Sequence, residues 1–146
     1  MRCGRCVPIA SRSSLLYLDS SALVKLIVAE PETPALLEFL ASWPNRVSSA
    51  LARVEVLRAV RRSGASPAVR RRATRVLARV ALVRIDDAVL AAAARVPPSE
   101  VRTLDAIHLA TARSLDDVAG IVSYDVRLGR AASRARLKVW SPNPPR

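Results

Sequence analysis

Short apolar runs alternate with amphipathic stretches along almost the whole chain, and this alternation restricts the fold more than any other feature. Leu15-Leu16-Tyr17-Leu18 is apolar, stops at Asp19 and reads as a buried strand. Ser20 then reads as an N-cap, with a helix over residues 22–29 broken by Glu30-Pro31. A second helix at about 34–42, a turn at Trp43-Pro44-Asn45 and a brief strand at 46–48 follow. A helix from about 50 to 62 is ended by Gly64. Ser66-Pro67 restarts the pattern, a cap followed by proline at the first helical position. Val69, Ala73, Val76, Leu77 and Val80 form the apolar stripe of that helix, and Arg71, Arg72, Arg75 and Arg79 cluster on another face. Beyond it the sequence predicts a strand at 81–85, a helix capped by Asp86 that ends near Val96, and a break at Pro97-Pro98. A helix at about 104–115, a strand at 120–124 ending at Asp125, a short helix to about Ser133 and a strand at 137–140 complete the chain. Parallel strands need such crossovers, so the expected fold is α/β, with three layers (α/β/α) around a central parallel sheet.

A chain of 146 residues suits one domain. Its charge narrows the partners. There are 24 basic and 12 acidic residues, a formal net charge of +12, which suits a polyanion and nucleic acid first. The 51% hydrophobic content excludes a disordered basic tail. The longest apolar run, residues 88–94, is far short of the roughly 18 residues of a membrane span. Only Lys25 and Lys138 are lysines. Arginine grips phosphate bidentately, and codon usage in a GC-rich genome also favours arginine; neither the codon bias nor the scarcity of lysine accounts for the two-to-one excess of base over acid. Cys3 and Cys6 form a lone Cys-x-x-Cys. A zinc ribbon needs a second pair, and a redox motif sits at a helix start after a strand, so both cysteines read as incidental. They lie in residues 1–14, read as a disordered lead-in whose start site is open to question; 15–141 reads as the domain and 142–146 as a tail. The absence of a secretion signal or disulfide framework points to the cytoplasm.

With twelve acids, position is informative. Glu30, Glu32, Glu38 and Glu100 lie near breaks or on polar helix faces, Asp86 and Asp87 open a helix, and Asp116 and Asp117 lie in a loop, none needing a special role. Asp19 and Asp125 each end a strand, where open α/β sheets bind ligands. Glu55 shares a helix face with Ala52 and Ala59, and Asp105 precedes Ala106 in a first helical turn, with room for an ion or substrate. Three of the four also have a structural reading: Asp19 as a cap, Glu55 paired with Arg58, Asp105 at a helix dipole.

Taken together, these segments resemble the PIN-domain ribonucleases, and among them the VapC-type toxins of toxin–antitoxin pairs. Tyr17-Leu18-Asp19-Ser20-Ser21-Ala22-Leu23-Val24-Lys25-Leu26 is similar to that family's opening strand and helix. Ser48-Ser49-Ala50-Leu51-Ala52-Arg53-Val54-Glu55 resembles its glutamate segment, Leu104-Asp105-Ala106-Ile107-His108-Leu109-Ala110 its third-acid helix, and Ser123-Tyr124-Asp125-Val126-Arg127-Leu128 its fourth-acid segment. The resemblance implies a PIN-like domain and a metal-dependent endoribonuclease in which Asp19, Glu55, Asp105 and Asp125 are catalytic and hold Mg2+ or Mn2+. It also implies an RNA substrate, a cognate VapB-type antitoxin covering the active site, and a homodimer. Crowded carboxylates repel, and a hard divalent cation relieves that repulsion while easing deprotonation of water and neutralising charge on phosphate. A further acid found in some relatives is absent, since Val126-Arg127-Leu128 follows Asp125. Ser20 and Ser123 stand beside acids as supporting hydroxyls, with capping the alternative for Ser20. His108, the one histidine, reads as a partly buried structural residue. Lys25, Arg127 and the arginines at 71, 72, 75 and 79 are candidate RNA contacts or solvated charges.

Other classes fit less well. A haloacid-dehalogenase-type phosphatase needs a second Asp two residues after the first, where this chain has Ser21. A receiver domain needs an Asp ending its third strand and a lysine near its last; Asp86 opens a helix and Lys138 lies inside the strand pattern. The standing alternative is a non-catalytic basic α/β protein that binds nucleic acid through the Arg71/Arg72/Arg75/Arg79 stripe.

Overall fold

The computed structural model describes residues 14–145, so Cys3, Cys6 and nearly all of the 1–14 lead-in lie outside the described residues. Five strands, β1 (Leu15–Leu18), β2 (Arg46–Ser49), β3 (Ala81–Val83), β4 (Val118–Val122) and β5 (Val139–Trp140), form one sheet in the order β3-β2-β1-β4-β5, every pair parallel. The helices are α1 (Ser20–Ile27), α2 (Thr33–Leu40), α3 (Leu51–Arg62), α4 (Pro67–Leu77), α5 (Asp87–Ala93), α6 (Thr103–Arg113) and α7 (Val126–Arg134). The expected three-layer α/β architecture is the one observed.

The central strand shows why its sequence is apolar throughout. Successive side chains point to opposite faces. Leu16 and Leu18 pack with Leu23, Ile27, Leu36, Leu40, Val56 and Val60 from α1, α2 and α3 and with Trp43 from the turn before β2, whereas Tyr17 packs with Leu109, Ile121, Leu128 and Ala132 from the α6/α7 side. A strand covered on both faces has no solvent side on which to place a polar residue. Each fully buried leucine adds about 1.5–3 kcal/mol relative to exposure.

Local chemistry sets most helix starts. Ser66 accepts from the Val69 N–H and Asp86 from the Val89 N–H, as their positions predict. Gly64, at φ 64°, sits just past α3 in the left-handed region that glycine tolerates best. At two further starts the structure decides between readings or moves a boundary. Asp19, not Ser20, caps α1, because its Oδ1 accepts from the Ala22 N–H at 2.9 Å and frees the Ser20 hydroxyl. β4 ends at Val122 rather than reaching Tyr124, because it pairs with β1 from Val118 to Val122 and β1 stops at Leu18. Asp125 therefore lies beyond the strand and caps α7, its Oδ1 accepting from the Arg127 and Leu128 N–H groups.

Gly120 lets β5 approach β4. A Cβ there would lie 2.4 Å from the Lys138 carbonyl oxygen and 2.5 Å from the Trp140 ring. Gly120→Ala forces a backbone atom aside, so a loss of about 1–3 kcal/mol is expected, read as a fall of several degrees in Tm. An unchanged Tm would mean that the two strands do not meet this closely.

Candidate active site

The C-terminal ends of β1, β2 and β4 face the starts of α1, α3, α6 and α7, the place where an open parallel sheet gathers ligand groups. Asp19 follows β1 directly and is 2% exposed. Its Oδ1 accepts from the Ser21 hydroxyl at 2.6 Å and from the Ala22 N–H, and its Oδ2 accepts from the Ser123 hydroxyl at 2.6 Å. Burial pushes the Asp19 carboxyl above its ordinary value, against the opposite pull of the Ser123, Ser21 and Ala22 donors. The same Ser123 oxygen accepts from the Asp125 N–H at 3.1 Å, so one hydroxyl ties the first acid to the fourth.

Glu55, on the second turn of α3, is held on one side only. Its Oε2 accepts from the Ser20 hydroxyl and lies 2.7 Å from His108 Nε2. Burial raises its carboxyl, but the His108 and Ser20 hydrogen bonds outweigh burial, and the net value lies below the usual glutamate range. The alternative reading, Glu55 paired with Arg58, is not found among the ion pairs of the described residues; the glutamate turns inward to His108 instead.

Asp105 lies in the first turn of α6, half-buried, one helical turn before His108. Burial and then the charge of Asp125 push its carboxyl above the ordinary value, with His108, Arg127 and Arg102 pulling the other way. Thus Ser20 and His108 hold Glu55, Ser123 joins Asp19 to Asp125, and Asp125 and Asp105 feel each other's charge. The structure brings the four acids into one neighbourhood, with Ser123 linking two of them and Ser20 bonded to Glu55.

His108 is 2% exposed and more deeply involved than its sequence position indicates. Besides Glu55 it meets the Tyr17 hydroxyl, Oη to Nδ1 at 2.8 Å, and that phenol oxygen accepts from the Ser49 N–H at 3.1 Å. Burial raises the Tyr17 hydroxyl far above its ordinary value, which keeps it a neutral donor.

The basic residues divide between two ends of the sheet. Arg127 is exposed beside Asp125, Nε to Oδ1 at 3.9 Å, and Arg102 stands at the start of α6 near Asp105. Arg62 lines the cleft that also holds Ser20, Ser21, Lys25, Glu55 and Tyr124. Lys25 carries no free charge into that cleft. Its ammonium is paired with Glu30 and, at 3.0 Å, with Glu32, and it lies 4.8 Å from the centre of the Tyr124 ring. Burial favours the neutral amine, but the two carboxylates outweigh it and raise the ammonium above its ordinary value. Arg72, Arg75 and Arg79 line a different cleft with Arg46, Leu26 and Val80. Arg46 begins β2 and Val80 precedes β3, so this cleft lies at the opposite end of the sheet from the acids. Arg71 is exposed but does not line it.

The donor set suits a hard divalent cation: it is all carboxylate oxygen, and Asp105 and Asp125 repel across a gap that a cation would neutralise. Among the described residues no three His, Cys, Asp or Glu side chains stand close enough to enclose one ion directly. Mg2+ is commonly bound through one or two carboxylates and keeps several waters, so the arrangement fits it with water completing the shell. Among the described residues no helix is long and apolar enough to cross a membrane.

Known proteins share this arrangement of elements and segments. The PIN domain family matches residues 16–134. Ribonuclease VapC46 of Mycobacterium tuberculosis is 48% identical over 129 residues, covering 88% of this chain and 98% of that protein. Ribonuclease VapC35 of the same species is 41% identical over 133 residues, covering 88% and 97%. The crystal structure of M. tuberculosis VapC20, described as a sarcin-ricin loop cleaving toxin, superposes with a TM-score of 0.67 at 18% identity, covering 84% of this chain and 96% of that one; it speaks for the fold.

Proposed function

The chain belongs to the PIN-domain family, and from that premise we propose that it is a metal-dependent endoribonuclease hydrolysing RNA phosphodiester bonds, the toxin of a VapBC-type pair. The observation that carries the reading is the gathering of Asp19, Glu55, Asp105 and Asp125 at one end of the sheet: Ser123 links Asp19 to Asp125, Asp125 and Asp105 interact through charge, and His108, bonded to Glu55, acts through charge on both Asp19 and Asp105. The names of the VapC relatives support an RNA substrate and a VapB-type antitoxin partner. A homodimer, as the family resemblance implies, and a cytoplasmic location belong to the same reading.

Asp19, Glu55, Asp105 and Asp125 are the groups that would hold Mg2+ or Mn2+, in part through its waters. When bound, the cation would supply charge neutralisation at the scissile phosphate and an activated water. The chain's own residues do the rest. Ser123 and Ser21 fix the buried Asp19 carboxylate from both sides. Ser20 and His108 fix Glu55. Arg127 and Arg102 stand where a phosphate approaching Asp105 and Asp125 would meet them, and arginine binds such groups bidentately. Lys25, already paired with two carboxylates, is the least suited of the candidate contacts. Arg71, Arg72, Arg75 and Arg79 would meet only an RNA that reaches round the domain.

Induced expression of the wild-type chain and of Asp19→Asn, followed by sequencing of RNA ends, tests the reading. Growth arrest and new RNA ends are expected from the wild type alone. Equal cleavage by both chains, or none by either, would end it.

A further inference from the structure

We propose that His108 is the positioning residue of Glu55, oriented by Tyr17, so that one glutamate oxygen is fixed and the other is presented to the cleft; this inference rests on the ribonuclease reading of the site. The argument begins with where the protons lie. The Tyr17 side chain is completely buried, and its oxygen already accepts from the Ser49 N–H, so its one hydroxyl proton is free for His108 Nδ1 at 2.8 Å. A neutral imidazole that accepts at Nδ1 carries its proton at Nε2. That proton faces Glu55 Oε2 at 2.7 Å, and it does so whether or not the ring gains a second proton. Ser20 approaches the same Oε2, with its hydroxyl also 3.4 Å from the His108 Nε2.

Both donors therefore converge on one oxygen. Oε1 of Glu55 has no hydrogen-bond partner among the described residues, and its side chain, 25% exposed, lines the cleft with Ser20, Ser21 and Arg62. The effect is a carboxylate with its rotation stopped and one oxygen left for a cation or its water. Groups that orient a ligand in this way typically change metal affinity or activity by about 10–100-fold when removed. Tyr17 and His108 are 91 residues apart and His108 and Glu55 are 53 apart, so β1, α3 and α6 must dock correctly before the glutamate is set.

Amide replacements separate positioning from packing. Gln places its amide near the Nε2 position and can still donate to Glu55, whereas Asn places its amide near Nδ1 and reaches Tyr17 only. Wild type, His108→Gln, His108→Asn, His108→Leu and Tyr17→Phe are compared in Mn2+ binding by calorimetry and in RNA cleavage, with Tm measured for each. The expected result is weaker Mn2+ binding and slower cleavage, each by about 10–100-fold, for Asn and Leu, with Gln close to wild type and Tyr17→Phe between them. Tyr17→Phe keeps the ring in place and so tests the relay even if a His108 variant fails to fold. Wild-type Mn2+ affinity in folded His108→Leu or in Tyr17→Phe, or equal losses in Gln and Asn, would overturn the positioning role while leaving the ribonuclease reading intact. A wild-type chain that neither binds Mn2+ nor cuts RNA would overturn both.

Discussion

Asp19→Asn is expected to slow RNA cleavage by roughly 100-fold or more while melting no lower than the wild-type chain in metal-free buffer. The first half follows from charge. A cation site contributes several kcal/mol to the stabilisation of charge in the transition state, and each 1.4 kcal/mol or so is tenfold in rate. Asn keeps the size and the Oδ1 acceptor that caps α1, and the Ser123 hydroxyl can rotate to accept from the new amide. The second half follows from burial. The Asp19 carboxyl is raised by desolvation, so its ionised form is the costly one in the folded protein. A carboxyl whose folded value exceeds its unfolded value contributes most at low pH and loses that contribution as pH rises from the unfolded to the folded value. The advantage of Asn over Asp should therefore grow across that interval and persist above it. Melting curves at acidic and neutral pH beside single-turnover cleavage rates check both halves. A variant that loses activity only because it unfolds would remove the argument for a chemical role.

Withdrawal of divalent cation is expected to have an effect of the same order. Asp105 is raised by burial and by the charge of Asp125, so the metal-free site stores repulsion. A cation that binds the folded chain alone stabilises it by about 2.7 kcal/mol at 100 times its Kd. Mn2+ or Mg2+ should accordingly raise Tm by several degrees, and the rise should shrink in Asp105→Asn, where half of the repelling pair is gone. EDTA should abolish cleavage by the wild type. A Tm indifferent to Mn2+, with cleavage surviving EDTA, would mean that these carboxylates act without a metal.

The sequence was most informative where the governing chemistry is local. The run from Leu15 to Leu18, the Ser66-Pro67 start and the Asp86 cap each declare themselves within a few residues. The extent of β4 did not, because its end is set by pairing with β1, more than 100 residues away in the chain, and so Asp125 read as a strand end when it is a helix cap. The four acids were legible as a set through the family resemblance, but the groups that hold them were not. His108 read as a structural histidine because nothing within a turn of it marks Glu55 or Tyr17 as partners; both are supplied by other elements. Glu30 and Glu32 read as ordinary surface acids, yet they wrap round the end of α1 to take Lys25. Arg71, Arg72 and Arg75 of α4, with Arg79 just past its end, were legible as a stripe. Their distance from the acids was not, since a helical wheel gives a face and not an end of the sheet.

This separation sharpens the meaning of the +12 charge. Basic surface is present at both ends of the sheet, but the acids and their nearest arginines, Arg102 and Arg127, occupy only one. The proposed cleavage chemistry belongs to that end. It also constrains the products. The chain has a single histidine, buried and already engaged by Tyr17 and Glu55, so no pair of imidazoles is available to activate the ribose 2′-hydroxyl and protonate the leaving oxygen.

The most direct measurement is therefore of the ends left on RNA cut by the purified wild-type chain in Mg2+, in water enriched in oxygen-18, with an EDTA control. Attack by water predicts a linear terminal phosphate carrying one oxygen-18 opposite a plain hydroxyl, and no cutting in EDTA. A 2′,3′-cyclic phosphate free of the label, or cuts that persist in EDTA, would contradict the account.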